Sequence, residues 1–176
     1  MLTNSKEEVA FTQIDKKRIL VAEDVTINQI IVKQILEEWG HEVVLVSNGQ
    51  EAFDAHKKKD FDLILMDIHM PEVDGYEATQ MIRHMGDTIK AAVPIVALTA
   101  NAFKQETDRF AEAGFNDYIT KPFTEAGLYD CNKKQLQLNS PVDFSKKLKQ
   151  KIAEENSEKL YDLSALQGIE QDDTAF

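Results

Sequence analysis

The feature that most constrains this chain is a rhythm of short, unbroken apolar runs, each ending in a polar residue or a proline. They read "RILVAED" (18–24), "HEVVLVS" (41–47), "FDLILMD" (61–67), "VPIVALTA" (93–100) and "FNDYITKP" (115–122). Between and after them lie segments with helical character at 28–40, 49–59, 74–86, 101–114 and 123–136. A strand with one wet face alternates apolar and polar residues. These runs do not, so both of their faces are expected to be buried. Buried strands alternating with helices predict an α/β fold, a doubly wound parallel sheet of five strands covered by helices.

The local signals agree with that pattern. In the first helix Ile31, Ile35 and Trp39, with Val32 and Leu36 beside them, form one expected face, and Gly40 supplies a C-terminal stop. Asn48 is placed to cap the second helix. Gly86 and Gly114 are expected to end the third and fourth helices, and Pro94 fits only near the start of its strand. The fifth helix carries Gly127 inside it, and its Asn132 falls where an apolar side chain is wanted.

Composition narrows the function. The 176 residues carry a net charge of −11, which disfavours general nucleic-acid binding, since phosphate contacts need clustered Lys and Arg. The small basic runs at 16–18 and 57–59 read as solvated edges. A lone cysteine, Cys131, excludes an intrachain disulfide and reads as a packing residue. No stretch approaches the roughly 20 apolar residues of a membrane span, and the first residues lack a signal-peptide core. A cytoplasmic location without membrane contact is expected, although a longer parent protein is free to be membrane-anchored.

In parallel α/β sheets ligands bind beyond the carboxyl ends of the strands. There this sequence places Glu23 and Asp24, Asp67, Thr99 and Lys121. One acid at a strand end is commonly a solvated loop residue or a cap. Acids, a hydroxyl and an ammonium at the ends of four separate strands form a set. Three close carboxylates repel one another and call for a cation. Oxygen ligands without Cys or His favour Mg²⁺, Mn²⁺ or Ca²⁺. Mg²⁺ held by one or two carboxylates suits phosphoryl transfer, and a carboxylate is a competent nucleophile for it.

The stretches "ILVAED" with "NQ" soon after, "DLILMDIHMPEVDGYEATQMIR", "PIVALTANA" and "AGFNDYITKPF" resemble the receiver domains of two-component response regulators, especially the receivers of hybrid sensor histidine kinases. The resemblance covers residues 18–137. It implies a flavodoxin-like sheet with strand order 2-1-3-4-5 and a phosphorelay role. Asp67 is then the phosphoacceptor, receiving a phosphoryl group from a phosphohistidine on a histidine kinase or phosphotransfer domain, in the same or another chain. It implies Mg²⁺, with Mn²⁺ as an alternative, held by Asp24, by Glu23 through water, by Asp67 and by the backbone carbonyl of His69. Thr99 and Lys121 are implied to contact the phosphoryl oxygens. Tyr118 matches an aromatic switch whose ring turns inward when Thr99 moves toward the phosphoryl group. His69 and Asn101 match two positions that tune dephosphorylation, and the Lys121-Pro122 bond is expected to be cis. His41, His56 and His84 are assigned no phosphoryl chemistry. The domain is expected to catalyse only its own phosphorylation and dephosphorylation, with a protein histidine kinase as its parent.

Outside this region, residues 1–17 read as a leader or linker and 138–160 as a polar linker. "YDLSALQGIEQDDTAF" (161–176) resembles the truncated start of a histidine phosphotransfer domain, with a plain amphipathic helix as the competing reading. The alternatives to a hybrid-kinase receiver are a stand-alone regulator, a receiver-fold interaction module without phosphate turnover, and a small Mg²⁺-dependent phosphatase. The last usually wants a second acid two residues after the nucleophile, where this chain has His69.

Overall fold

The computed structural model describes residues 16–137. The assignments made for residues 1–15, 138–160 and 161–176 lie outside the described residues. Five parallel strands form one sheet: β1 (Arg18–Ala22), β2 (Glu42–Val46), β3 (Leu63–Asp67), β4 (Ile95–Thr99) and β5 (Asp117–Thr120). Their order is β2-β1-β3-β4-β5, as expected. After β1 the chain first adds β2 on one side, then crosses to add β3 on the other. The crevice where the winding reverses therefore lies between β1 and β3.

Six helices cover the sheet: α1 (Thr26–Glu38), α2 (Gly49–Lys58), α3 (Gly75–Arg83), α4 (Thr88–Ala91), α5 (Lys104–Ala113) and α6 (Glu125–Gln137). The period-2 alternation of the strands divides their side chains between two cores. Leu20, Ile64, Met66, Ile95 and Ala97 pack with Ala52 of α2, Ala78 and Ile82 of α3 and Phe110 of α5. Ile19, Val21, Leu63, Leu65, Val96 and Leu98 pack with Val32 and Leu36 of α1 and with Leu128 and Cys131 of α6. Both faces are thus buried, which is why the strands read as continuous apolar runs.

Several local signals act as read from the sequence. The Asn48 side chain accepts from the Glu51 N–H at 2.8 Å. Gly40 and Gly114 take the left-handed conformation just past α1 and α5, at φ +90° and +96°. Other expectations are corrected. The third helix ends at Arg83, with His84 as its cap, before Gly86 is reached. A separate one-turn helix, α4, follows, capped by Asp87, whose side chain accepts from the N–H groups of Ile89 and Lys90. At the break the Arg83 guanidinium turns inward. It donates to the carbonyls of Gly114, Ala91 and Val93 at 2.8, 2.6 and 2.7 Å and to Asn116 Oδ1 at 2.7 Å. Burial pushes its pKa down to about 10, yet these acceptors satisfy it without a carboxylate. The fourth helix starts at Lys104 and not at residue 101. In α1 the expected face is too wide: Val32 and Leu36 are buried, while Ile31 is left exposed together with Ile27 and Ile30.

α6 forms in spite of Gly127 and Asn132. Asn132 is buried, and its amide lies 3.0 Å from Nε2 of the buried His41. The Lys17 N–H donates to the other ring nitrogen, Nδ1, at 3.1 Å. The atom facing Nε2 is the Asn132 amide nitrogen, Nδ2, while the buried Asn132 Oδ1 has no hydrogen-bond partner among the described residues. The polar residue that looked out of place in the sequence thus has a buried polar partner 91 positions away.

Candidate phosphoacceptor site

Strand register assembles the site. Ala22 pairs with Met66, so one further step brings Glu23 level with Asp67. Asp67 pairs with Leu98, and Thr99 with Thr120, so Thr99 and Lys121 follow at the same edge. Carboxylate oxygens of Glu23, Asp24 and Asp67 come within 4.8 Å of one another. Glu23 and Asp67 are buried and Asp24 is exposed, giving a cluster open on one side. The donors are all oxygens, with no imidazole or thiolate among them, which fits a hard divalent cation such as Mg²⁺.

The Lys121 ammonium lies 2.8 Å from Asp67 Oδ2 and 2.8 Å from Glu23 Oε2. Its reach is fixed by a backbone bond from the Lys121 N–H to the Thr99 carbonyl at 2.7 Å, and the Lys121-Pro122 peptide is cis as expected. Burial pushes the Asp67 carboxyl up to about 6. Lys121 opposes that rise and the Glu23 charge adds to it. Burial alone would lower the Lys121 pKa, but Asp67 and Glu23 together outweigh it and raise it.

The surrounding loops are held from several directions. The Glu23 Oε1 accepts from the Val25 N–H at 3.0 Å. Gln29, the second residue of the "NQ" pair, donates from Nε2 to the Glu23 carbonyl and to Ser47 Oγ, binding α1 to the ends of β1 and β2. Nothing in the local sequence around Gln29 marks this role. The His69 N–H donates to Asp67 Oδ1 at 3.2 Å, while its side chain is exposed. Glu72, in the loop after β3, has a φ of +67°, a left-handed conformation that costs a non-glycine residue energy. Gly75 presses on the strand end: its N–H donates to the Ile68 carbonyl at 3.0 Å, and a Cβ there would overlap the Asp67 carbonyl.

Thr99 is buried at the end of β4, and its hydroxyl is turned to its own loop. It donates to the Asn101 carbonyl at 2.8 Å and accepts from the Asn101 N–H at 3.2 Å. The Asn101 side chain is exposed. The Tyr118 ring is already inside, 3% exposed and 5.9 Å from the Phe110 ring. His56 and His84 face carbonyl oxygens of Lys90 and Gln80 at 2.9 and 2.7 Å, apart from the acidic cluster.

The sequence profile of the response regulator receiver domain matches residues 19–131. The chain belongs to the response regulator receiver domain family. Among curated relatives of this receiver domain, hybrid signal transduction histidine kinase I of Dictyostelium discoideum is 37% identical over 134 residues. That match takes in 73% of this chain but 8% of the relative's length. The solved receiver domain of sensor histidine kinase PA1611 from Pseudomonas aeruginosa, with a magnesium ion coordinated in its active site cleft, is 37% identical. It superposes with a TM-score of 0.64 over 69% of this chain and 98% of that one. The Saccharomyces cerevisiae complex of the histidine phosphotransfer protein Ypd1 with the receiver domain of its downstream response regulator Ssk1 matches at 32% identity and a TM-score of 0.67. It covers 73% of this chain and 94% of that one. Among the described residues no helix is long and apolar enough to cross a membrane.

Proposed function

We propose that this receiver domain accepts a phosphoryl group from a phosphohistidine onto Asp67 with Mg²⁺ bound. The observation that carries the reading is the buried Asp67 carboxylate, gathered with Glu23 and Asp24 and held 2.8 Å from the Lys121 ammonium. Asp24 and Asp67 would hold the ion directly, with the His69 carbonyl, and Glu23 through water; Mn²⁺ suits the same oxygen set. When bound, the ion neutralises charge on the transferring group. An Asp67 oxygen attacks phosphorus and forms an O–P bond. The N–P bond of the phosphohistidine breaks, and its electron pair leaves with the imidazole. Lys121 donates to the transferring oxygens, and the Thr99 hydroxyl turns from Asn101 to do the same. Hydrolysis reverses the modification: water attacks phosphorus, Asp67 departs as carboxylate, and inorganic phosphate is released. The exposed side chains of His69 and Asn101 flank that step and set its rate.

The donor in this reading is a histidine kinase or histidine phosphotransfer domain, and the parent chain is a hybrid histidine kinase. The yeast neighbour, solved with a histidine phosphotransfer protein, supports that partner class. So does the first half of α1. Val25, Ile27, Ile30 and Ile31 are exposed there, immediately after the Glu23-Asp24 pair, and form an apolar ridge beside the opening of the site. A helical donor presenting its phosphohistidine to Asp67 would cover this ridge.

The test is incubation with acetyl phosphate, with and without Mg²⁺, followed by intact mass spectrometry. The expected outcome is a single phosphoryl adduct on the wild type that requires Mg²⁺ and is absent from Asp67→Asn. A wild type without adduct, or an Asp67→Asn variant with the same one, would refute the assignment.

A further inference from the structure

The ring of Tyr118 is buried while the Thr99 hydroxyl is still bound to Asn101. In this structure, then, the ring is inside without Thr99 having turned toward Asp67, and it packs there against an aromatic group. Phe110 of α5, fully buried, lies 5.9 Å from Tyr118 and is stacked on Tyr76 of α3 at 5.8 Å and 24°. Phe115 closes the group edge-on, 5.8 Å from Phe110 and 6.0 Å from Tyr76. Arg109 lays its guanidinium 4.3 Å from the centre of the Tyr76 ring. Offset and edge-to-face pairs at these separations attract beyond simple burial, and the cation adds to the attraction. The Tyr76 hydroxyl is buried with no hydrogen-bond partner, so Tyr76 is suited to its place by its ring and not by its hydroxyl. Tyr76 also directly follows Gly75, which is pressed against the Asp67 carbonyl. The aromatic group therefore begins at the phosphoacceptor strand and ends at Tyr118.

We propose that Tyr76 is a positioning residue: acting through Phe110, it holds the Tyr118 ring inward before Asp67 is modified, so that the inward state is already populated in the free domain. This rests on the reading of Asp67 as phosphoacceptor. A site whose competent state is already populated takes up its ligand with little loss of apparent affinity, and weakening the hold reduces affinity in proportion to the lost population.

The experiment uses the full 176-residue chain, labelled with fluorotyrosine and read by fluorine NMR, the Tyr118 signal being assigned with Tyr118→Phe. Beryllofluoride with Mg²⁺ serves as the phosphoryl mimic. In the ligand-free wild type the Tyr118 signal is expected close to its beryllofluoride-bound position. Tyr76→Leu and Phe110→Leu should move it toward the solvent-exposed position and weaken beryllofluoride binding about three- to tenfold, with affinity for Mg²⁺ alone unchanged. Tyr76→Phe should match wild type. Arg109→Ala, a surface change that spares the core, should shift the signal in the same direction by less. A Tyr118 ring exposed in the ligand-free wild type would overturn the proposal by itself. So would Tyr76→Leu or Arg109→Ala variants that are folded and leave the signal and the affinity unmoved. Absence of any adduct on the wild type would instead strike the phosphoacceptor reading, and with it the link from the ring to the site.

Discussion

Asp67 is held where its charge is costly in the absence of a metal. Its pKa is raised to about 6 against an ordinary 3.8, first by burial and then by Glu23, with Lys121 offsetting only part. The folded state therefore keeps its proton to higher pH than the unfolded chain. Stability from this group is present below the unfolded value and is lost as pH rises through about 6. Asp67→Asn, which mimics the neutral form, should stabilise the metal-free protein at pH 7.5 by on the order of 1–3 kcal/mol. The gain should vanish near pH 4 and shrink when Mg²⁺ is added; urea unfolding at the two pH values, with and without the ion, measures all three. The same residue was the easiest to read in the sequence, because an acid closing an unbroken apolar run can point only to a strand end. Lys121 and Thr99 were legible for the same reason. Gln29, Arg83 and Asn132 were not, since each acquires its role from partners outside its own helix, and no local pattern marks such partners.

At the scale of elements, α6 shows how such a distant partner decides an outcome. Its sequence argued against a helix at Asn132, and the packing supplies His41 as the reason for it. Replacing Asn132 by Leu leaves the buried Nε2 of His41 without its polar partner, so a loss of about 1–3 kcal/mol is expected in urea unfolding. His41 should also make the domain acid-sensitive. Burial lowers its pKa below the ordinary 6.5, the nearby Asp62 opposes that, and Lys17 reinforces it. The unfolded chain then takes up a proton that the folded ring refuses, and stability falls as pH drops through 6.5. His41→Gln should flatten the pH dependence between 7.5 and 5.5. What slope remains is set by His56, whose pKa burial also lowers, and by Asp67, whose raised pKa acts in the opposite direction across the same range. In the Asp67→Asn background only the His56 part should be left. The helix boundaries missed in the sequence have the same character: α3 stops where Arg83 turns inward to four acceptors, and the glycine beyond it is not what ends it.

For the molecule as a whole, a parallel sheet covered on both faces was legible because double burial writes itself into unbroken apolar runs, whereas the strand order followed only from the resemblance to receiver domains. Which helix faces stay uncovered was not legible, because periodicity reports that a face is apolar and not what meets it. The α1 ridge is the case in point. With Ile27 60% and Ile30 53% exposed, polar substitutions there remove no core packing. Ile27→Asp with Ile30→Asp should leave labelling by acetyl phosphate unchanged and slow transfer from a phosphohistidine protein tenfold or more, about 1.4 kcal/mol. Rapid-quench transfer assays with both donors separate the two effects. One fold-level contact carries a consequence of its own. By reaching from the end of β5 to the acids of β1 and β3, Lys121 gives the domain a tethered counterion. The acids are already gathered, so loading the site exchanges one cation for another. A tethered charge competes with every free ion that arrives. Lys121→Ala should therefore bind Mg²⁺ more tightly than wild type while taking up phosphoryl groups about a hundredfold more slowly. Titration calorimetry and acetyl phosphate kinetics on the same sample would read those opposite signs. On the proposed reading, the affinity given up to the lysine would keep the seat filled between ions, and metal would leave as readily as it comes.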